Sequence, residues 1–168
     1  MVIKYVGKLS LKYTIYNMIT IEDFKIKHSN KVRFIGLDLG SKRIGVSICD
    51  EKQSIATPFK TINKTNTNEL IDELKIIIKD NNIGGIIVGN PVNMDGSLGR
   101  SSQSVNDVAS NISKSIDLPV ILWDERLSTV GAFNLSSLLD VNVSKRVKTI
   151  DQNAAAFILQ GAIDFLNN

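Results

Sequence analysis

The stretch Arg33 to Asp50, RFIGLDLGSKRIGVSICD, constrains this chain more than any other. Phe34 to Leu39 is apolar apart from Gly36 and one carboxylate, Asp38. Gly40-Ser41-Lys42-Arg43 is a turn, and Ile44 to Cys49 is apolar again. Two apolar runs around a short glycine-containing loop predict a β-hairpin. An acid near the end of a buried strand is costly unless something pairs with it or binds it. The remaining sequence must supply the partner of Asp38.

After the hairpin, Ile55 to Ile62 reads as a third strand, and Pro58 places it at a sheet edge. Thr67 to Asn81 predicts a helix capped by Thr67, with Leu70, Ile71, Leu74, Ile77 and Ile78 on one face. Gly85 to Gly89 is a short apolar strand of the buried parallel type. Asn90 to Arg100 is a loop rich in Pro, Gly, Asn and Asp. Ser101 to Ile116 is a second helix, with Val105, Val108, Ala109, Ile112 and Ile116 inward. Val120 to Trp123 is a strand running into Asp124-Glu125-Arg126, and Trp123 belongs to the core. Ser128 to Leu139 is a third helix, Val141 to Thr149 a polar loop, and Asp151 to Leu166 the last helix.

This order predicts an α/β fold with a mixed five-stranded sheet: three antiparallel strands, then parallel strands reached through right-handed helical crossovers. Strands one, four and five then end on one edge, where ligands of open α/β sheets bind. Asp38, Gly89 and Asp124-Glu125 all sit there.

The 168 residues suit one domain, and 43% hydrophobic with 22% charged residues is an ordinary globular composition. The single cysteine, Cys49, excludes an internal disulfide framework, fits a reducing cytoplasm, and reads as buried and inert. No run approaches the roughly 20 apolar residues of a membrane helix, and no secretory signal is visible at the N-terminus. The net charge is +3, but residues 1–33 carry +5 and residues 34–168 carry −2. Charge alone therefore does not mark a nucleic-acid binder. Residues 1–32 read as an extension ahead of a domain at 33–168 that already suffices for a core. The period-two pattern from Ile3 to Ile15 suggests a hairpin or edge strand, and Met18 is an alternative start. His28, in a polar run, reads as a solvated loop residue.

Asp151 shares a face of the last helix with Ala155, Ile158, Ala162 and Phe165, at spacings of four, seven, eleven and fourteen. That is the core-facing side, so Asp151 points toward the sheet from the helix's first turn. A first-turn acid serving the helix dipole is the plainer reading and stays open. Likewise Asp38 could cap its turn, and Asp124-Glu125-Arg126 could be a solvated group. Carboxylates converging on one edge repel unless cations intervene. A hard divalent cation, Mg²⁺ or Mn²⁺, with oxygen ligands answers that need and suits phosphodiester cleavage. Lys42, Arg43, Asn90, Arg100, Arg126, Lys145, Arg146 and Lys148 flank this edge as candidate contacts to nucleic-acid phosphates. Arg100 also precedes a helix N-terminus, which favours anions.

Four stretches, GLDLGSKRIGVSICD, IIVGNPVNMDGSLGR, WDERLST and DQNAAAFILQGAIDFL, resemble the YqgF family, also called RuvX, of the RNase H-like superfamily. They run in order from Arg33 to the C-terminal region. The resemblance implies an RNase H-like fold and a cytoplasmic metal-dependent nuclease. The family role is 5′-end processing of pre-16S rRNA in ribosome biogenesis, with a likeness to Holliday-junction resolvases acting on branched DNA. It places the acidic cluster, as catalytic residues and metal ligands, on Asp38, Glu125 and Asp151, with Asp124 adjacent. Ribosomal particles would be partners, no membrane is involved, and a homodimer is left open. Ser41 stands where the family usually has Thr, and Asn90 where it usually has Leu; residues 1–32 lie outside the resemblance. A non-catalytic RNA-binding assembly factor of the same fold is the alternative. D-x-G-[ST] at Asp38 to Ser41 also resembles the phosphate loop of actin-like ATPases, but no second phosphate motif accompanies it.

Overall fold

The computed structural model describes residues 18–27, 32–63, 66–93, 95–127 and 143–168, with side chains from Asn153 onward in the last stretch. The elements in order are β1 (Met18–Ile19), α1 (Ile21–Lys27), β2 (Arg33–Leu39), β3 (Arg43–Cys49), β4 (Ala56–Asn63), α2 (Thr67–Asn81), β5 (Ile83–Asn90), α3 (Arg100–Ser115), β6 (Val120–Asp124) and α4 (Val143–Asn167). A single 3₁₀ turn, Glu125–Leu127, follows β6. The predicted helix at 128–139 and His28 lie outside the described residues.

The sheet order is β1-β6-β5-β2-β3-β4. The hairpin is as expected: β2 and β3 are antiparallel, with Ile35 opposite Ile48 and Asp38 opposite Gly45. β4 continues antiparallel on β3 and forms one edge, so Pro58 sits where no ladder depends on its missing N–H. β2, β5 and β6 are mutually parallel, reached through the helical crossovers. The carboxyl ends of these three strands therefore lie side by side.

The sheet has six strands, not five. Met18 and Ile19 pair in parallel with Val120 and Ile121 and close the other edge. The Thr20 hydroxyl then accepts the Asp23 N–H at the start of α1. Ile21 and Phe24 are buried, and Phe24 meets Phe34 edge to face at 5.3 Å between ring centroids. Residues 18–27 are thus part of the sheet and core, not an appendage. A period-two search does not find a two-residue strand followed by a seven-residue helix, because neither is long enough to show its period.

Period two along the strands sorts residues between two cores. Ile35, Leu37, Ile86, Val88 and Val120 face α2 and α3. Phe34, Cys49, Ile87, Ile121 and Trp123 face α1 and α4. The inward faces predicted for α2 and α3 are buried, apart from a half-buried Ile78 on α2. Cys49 and Trp123 are buried as expected. Burial pushes the Cys49 thiol above its ordinary range, which keeps it un-ionised and inert. Asn66, not Thr67, caps α2: its side-chain oxygen accepts the Glu69 N–H at 2.9 Å. Asn is as good a cap as Thr and stands one residue nearer the true start.

α4 also differs from expectation. It begins at Val143, so Lys145, Arg146 and Lys148 lie on its first two turns instead of in a loop. The run VSKRVKTI holds no Gly or Pro, so nothing local stops the helix before Asp151. Asp151 is consequently not in the first turn, which holds no acid, and the helix-dipole reading of that residue falls. The face through Ala155, Ile158 and Ala162 is buried as predicted.

α4 rests on bare backbone. A Cβ at Gly36 would lie 2.5 Å from Ser47 Oγ, 2.7 Å from Leu159 Cβ and 2.8 Å from the Ala155 carbonyl oxygen. The buried Ser47 hydroxyl donates to that same Ala155 oxygen at 2.7 Å. These contacts fix both the height and the register of α4 over β2 and β3.

Phe24→Ala should destabilise the fold by about 3–5 kcal/mol, the usual cost of emptying a buried aromatic site. A chain starting at Lys31 should melt well below the full-length protein. Denaturant and thermal unfolding monitored by circular dichroism measure both.

Candidate active site

Asp38 and Gly89 lie near the ends of β2 and β5, Glu125 opens the 3₁₀ turn that follows β6, and all three fall on the α4 side. On β2, Asp38 follows Gly36 by two. On β5, Gly89 follows Ile87 by two. Glu125 follows Ile121 and Trp123 by four and two. Gly89 pairs with Trp123 in the middle of this edge. β2 and β6 flank β5, so their backbones stand about 10 Å apart, twice the usual strand spacing. The two acids approach across the gap because the residue between them has no side chain. A Cβ at Gly89 would lie 2.5 Å from Glu125 Oε1 and would also strike Ile158 of α4.

Glu125 is half-buried, and its carboxyl is held above the ordinary glutamate range. Burial is the largest cause, followed by the negative charges of Asp38 and Asp124. Asp38 and Glu125 therefore share one local field in which two ionised acids repel. The carboxyl of Asp124 shifts the opposite way, below the ordinary aspartate range, because Arg126 bonds it. Arg126 Nε lies 3.0 Å from both carboxylate oxygens, Nη2 lies 2.6 Å from Oδ2, and the Arg126 N–H donates to Oδ1 at 3.0 Å. Glu125 faces the other acid, whereas Asp124 is neutralised by arginine.

The two acids open onto a cleft of about 470 Å³. Leu39, Gly40 and Ser41 of the β2–β3 turn line one wall. Arg100, Ser101 and Ser104 of the first turns of α3 line the opposite wall. Gly99 caps α3 without a side-chain hydrogen bond to the helix. The end of α3 thus brings unpaired backbone N–H groups, two hydroxyls and a guanidinium toward two carboxylates.

The other predicted contacts divide. Lys42 is exposed on the turn, with Arg43 half-exposed beside it. Asn90 is 9% exposed, and its side-chain oxygen accepts the Ser102 hydroxyl at 2.6 Å. It faces the α3 side of the sheet and ties β5 to α3. Arg126 is occupied by Asp124 and by the Asn93 carbonyl oxygen, to which Nη1 donates at 3.3 Å. Lys145, Arg146 and Lys148 are placed by backbone alone. So is Asp151, one turn before Ala155.

The direction of α4 decides where that turn lies. Gln160 and Asn167 reach Ser54 and Gln53, at the amino-end edge of β2, while Ala155 sits over Gly36. α4 therefore runs against β2. Four residues back along the helix is about 6 Å, and Gly36 to Asp38 is nearly 7 Å along the strand in the same direction. The position of Asp151 is thereby carried to the carboxyl edge.

Sequence reasoning missed Ser101 and Ser104 in this cleft. Their signal was weak, since serines in a polar first turn of a helix ordinarily face water. Among the described residues, no group of three His, Cys, Asp or Glu side chains could hold a metal ion. Asp38 and Glu125 offer oxygen donors alone, and their mutual repulsion is what a hard divalent cation relieves. These two residues fit such an ion, with the Asp151 side chain outside the description.

A raised carboxyl pKa means that the folded protein holds the proton more tightly than the unfolded chain. Ionising Glu125 then weakens the fold as pH climbs from the ordinary value of 4.5 through the raised one. In metal-free protein, Glu125→Gln should raise Tm by on the order of 2–4 °C near pH 7 and give no gain below about pH 4. Calorimetry at the two pH values measures this.

A family model described as "RuvX: Holliday junction resolvase" matches residues 32–165. A protein of Pelagibacter ubique named "Putative pre-16S rRNA nuclease" is 98% identical over 151 residues, covering 90% of this chain and all of that protein. One of the same name from Sphingopyxis alaskensis is 44% identical over 142 residues, covering 84% of this chain and 93% of that protein. Among solved structures, the yeast mitochondrial Holliday junction resolvase Ydc2 superposes with a TM-score of 0.50 at 13% identity, over 88% of this chain and 84% of that chain. At that identity the likeness speaks for the fold, and the fold is RNase H-like. No helix among the described residues is long and apolar enough to cross a membrane.

Proposed function

The chain belongs to the RuvX family, and from that premise we propose that it is a metal-dependent endonuclease of the cytoplasm that trims the 5′ end of pre-16S rRNA. It is a hydrolase acting on phosphodiester bonds. The observation that carries the reading is the meeting of Asp38 and Glu125 over Gly89, opposite the N-terminal turn of α3. The substrate follows the name shared by the curated relatives, and pre-ribosomal particles are the setting in which such an RNA is met.

Asp38, Glu125 and Asp151 would hold the cation, and Mg²⁺ or Mn²⁺ suits an all-oxygen donor set. When bound, such an ion neutralises the acids, lowers the pKa of a coordinated water and stabilises the leaving oxygen. The protein's own residues bind and orient the scissile phosphate. The free N–H groups of α3, the Arg100 guanidinium, and the Ser101 and Ser104 hydroxyls face its non-bridging oxygens from across the cleft. Lys42 and Arg43 on the turn, and Lys145, Arg146 and Lys148 on the first two turns of α4, meet neighbouring phosphates along the strand. Residues 34–168 carry a net −2, so binding rests on this local placement.

Asp38→Asn, Glu125→Gln and Asp151→Asn should each fold and lose cleavage by at least about 100-fold. Matched 5′-extended pre-16S RNA and four-way DNA junctions are the substrates, with Mg²⁺ or Mn²⁺ present. Cleavage of the junction alone would make the chain a resolvase-like DNase. RNA binding with no cleavage by wild type would make it an assembly factor. Folded variants that cut at the wild-type rate would move the active site elsewhere.

Replacing Lys145, Arg146 and Lys148 together with Ala should lower the slope of log affinity against log salt by about 2 for single-stranded RNA. Fluorescence anisotropy across a salt series reads the slope. No change would remove the start of α4 from the interface.

A further inference from the structure

Arg126 stands beside the proposed active site and is the obvious candidate for a phosphate contact. Its hydrogen bonds give it another task. The guanidinium grips both oxygens of Asp124, at 2.6–3.0 Å. Asp124 is fully committed in return, because its Oδ1 also accepts the Arg126 N–H. The remaining arm, Nη1, donates to the Asn93 carbonyl oxygen at 3.3 Å.

Asn93 is the pivot of the loop between β5 and α3. Its carbonyl oxygen also accepts the Gly96 N–H at 2.8 Å, and its own N–H donates to the Ser97 carbonyl oxygen at 3.1 Å. The Asn93 side chain donates to the Ser97 hydroxyl, and that hydroxyl donates to Asp95. Gly96 has φ +84°, which permits the tight turn, and a Cβ added there would stand 3.9 Å from Arg126 Nη1. This knot leads directly into Gly99 and the first turn of α3, one wall of the cleft. Glu125, on the other wall, sits in sequence between the two members of the ion pair.

We infer that Arg126 is a positioning residue: with Asp124 it clamps the Asn93 turn to the end of β6, fixing Glu125 and the α3 N-terminus at their working separation, and it makes no phosphate contact. This deepens the proposed nuclease reading and rests on it. Arginine suits the task because its planar fork can grip a carboxylate with one side and a carbonyl with another; lysine offers one point of charge.

The test compares Arg126→Ala, Asp124→Ala, the double variant and Arg126→Lys. Each is assayed for kcat and KM, for the salt slope of RNA binding, and for amide hydrogen exchange at Gly96 and Ser97. A clamp predicts that either single change lowers kcat by about 10–100-fold while KM and the salt slope stay put. The double variant should be no worse than either single, since the pair acts as a unit, and Arg126→Lys should not rescue. A phosphate contact predicts the reverse. Arg126→Ala would raise KM and flatten the slope by about 0.7, and Asp124→Ala, which frees the arginine, would leave kcat intact or tighten binding. That result would overturn the inference. If wild type cleaves none of the substrates, the nuclease reading fails and exchange decides the clamp alone. Faster exchange at Gly96 in Arg126→Ala sustains it, and unchanged exchange refutes it.

Discussion

A helix laid directly on glycine backbone is the contact on which this structure depends. At Gly36 the last helix comes so near that its Ala155 carbonyl and Leu159 occupy the space of a side chain, and the Ser47 hydroxyl bonds that carbonyl. At Gly89, three residues further along the helix, Ile158 fills the same kind of vacancy and shares it with Glu125. A close-packed interior transmits such constraints without slack. The depth of α4 on the sheet, its register, the reach of Glu125 and the placement of Asp151 at the carboxyl edge are therefore one geometric problem.

Charge is divided along that edge with the same economy. Burial and the charge of Asp38 raise the Glu125 carboxyl, whereas Arg126 lowers that of Asp124. The division follows from the pleat. Successive side chains leave a strand on opposite faces, so Glu125 falls on the α4 side with Asp38, and Asp124 falls toward the loop that feeds α3. Asn90, one residue after Gly89, is turned to the α3 side for the same reason and bonds Ser102 there. The facing acids Asp38 and Glu125, and the arginine bonded to Asp124, are thus separated by single residues.

The α3 N-terminus supplies the complement. Two carboxylates by themselves repel an anionic substrate, and a helix end with unpaired N–H groups attracts one. Set across one cleft, the acid side would take a cation and the helix side a phosphate, as proposed above. In the proposed reading that arrangement would serve phosphodiester hydrolysis and would give a domain whose residues 34–168 are net negative a local place to hold nucleic acid.

Much of this was written in local sequence. The hairpin, the parallel strands, the inward faces of α2 and α3, the edge position of Pro58, the buried Cys49 and Trp123, and the convergence of strands ending at Asp38, Gly89 and Glu125 all follow from periodicity, turn residues and crossover rules. Those signals are local and repeat often enough to be read. The sequence could not reveal the sixth strand, whose two residues are defined only by pairing with β6. Nor could it place the start of α4, which no breaker marks, or separate Arg126 and Asn90, which bond other side chains and backbone, from Lys42, because a polar residue looks the same in sequence whether its partner is water or another part of the chain. Only the tertiary structure decided which polar groups are consumed within the fold. Hydrogen bonds such as Arg126 to Asn93, 33 residues apart, depend on a meeting in space that no sequence interval records.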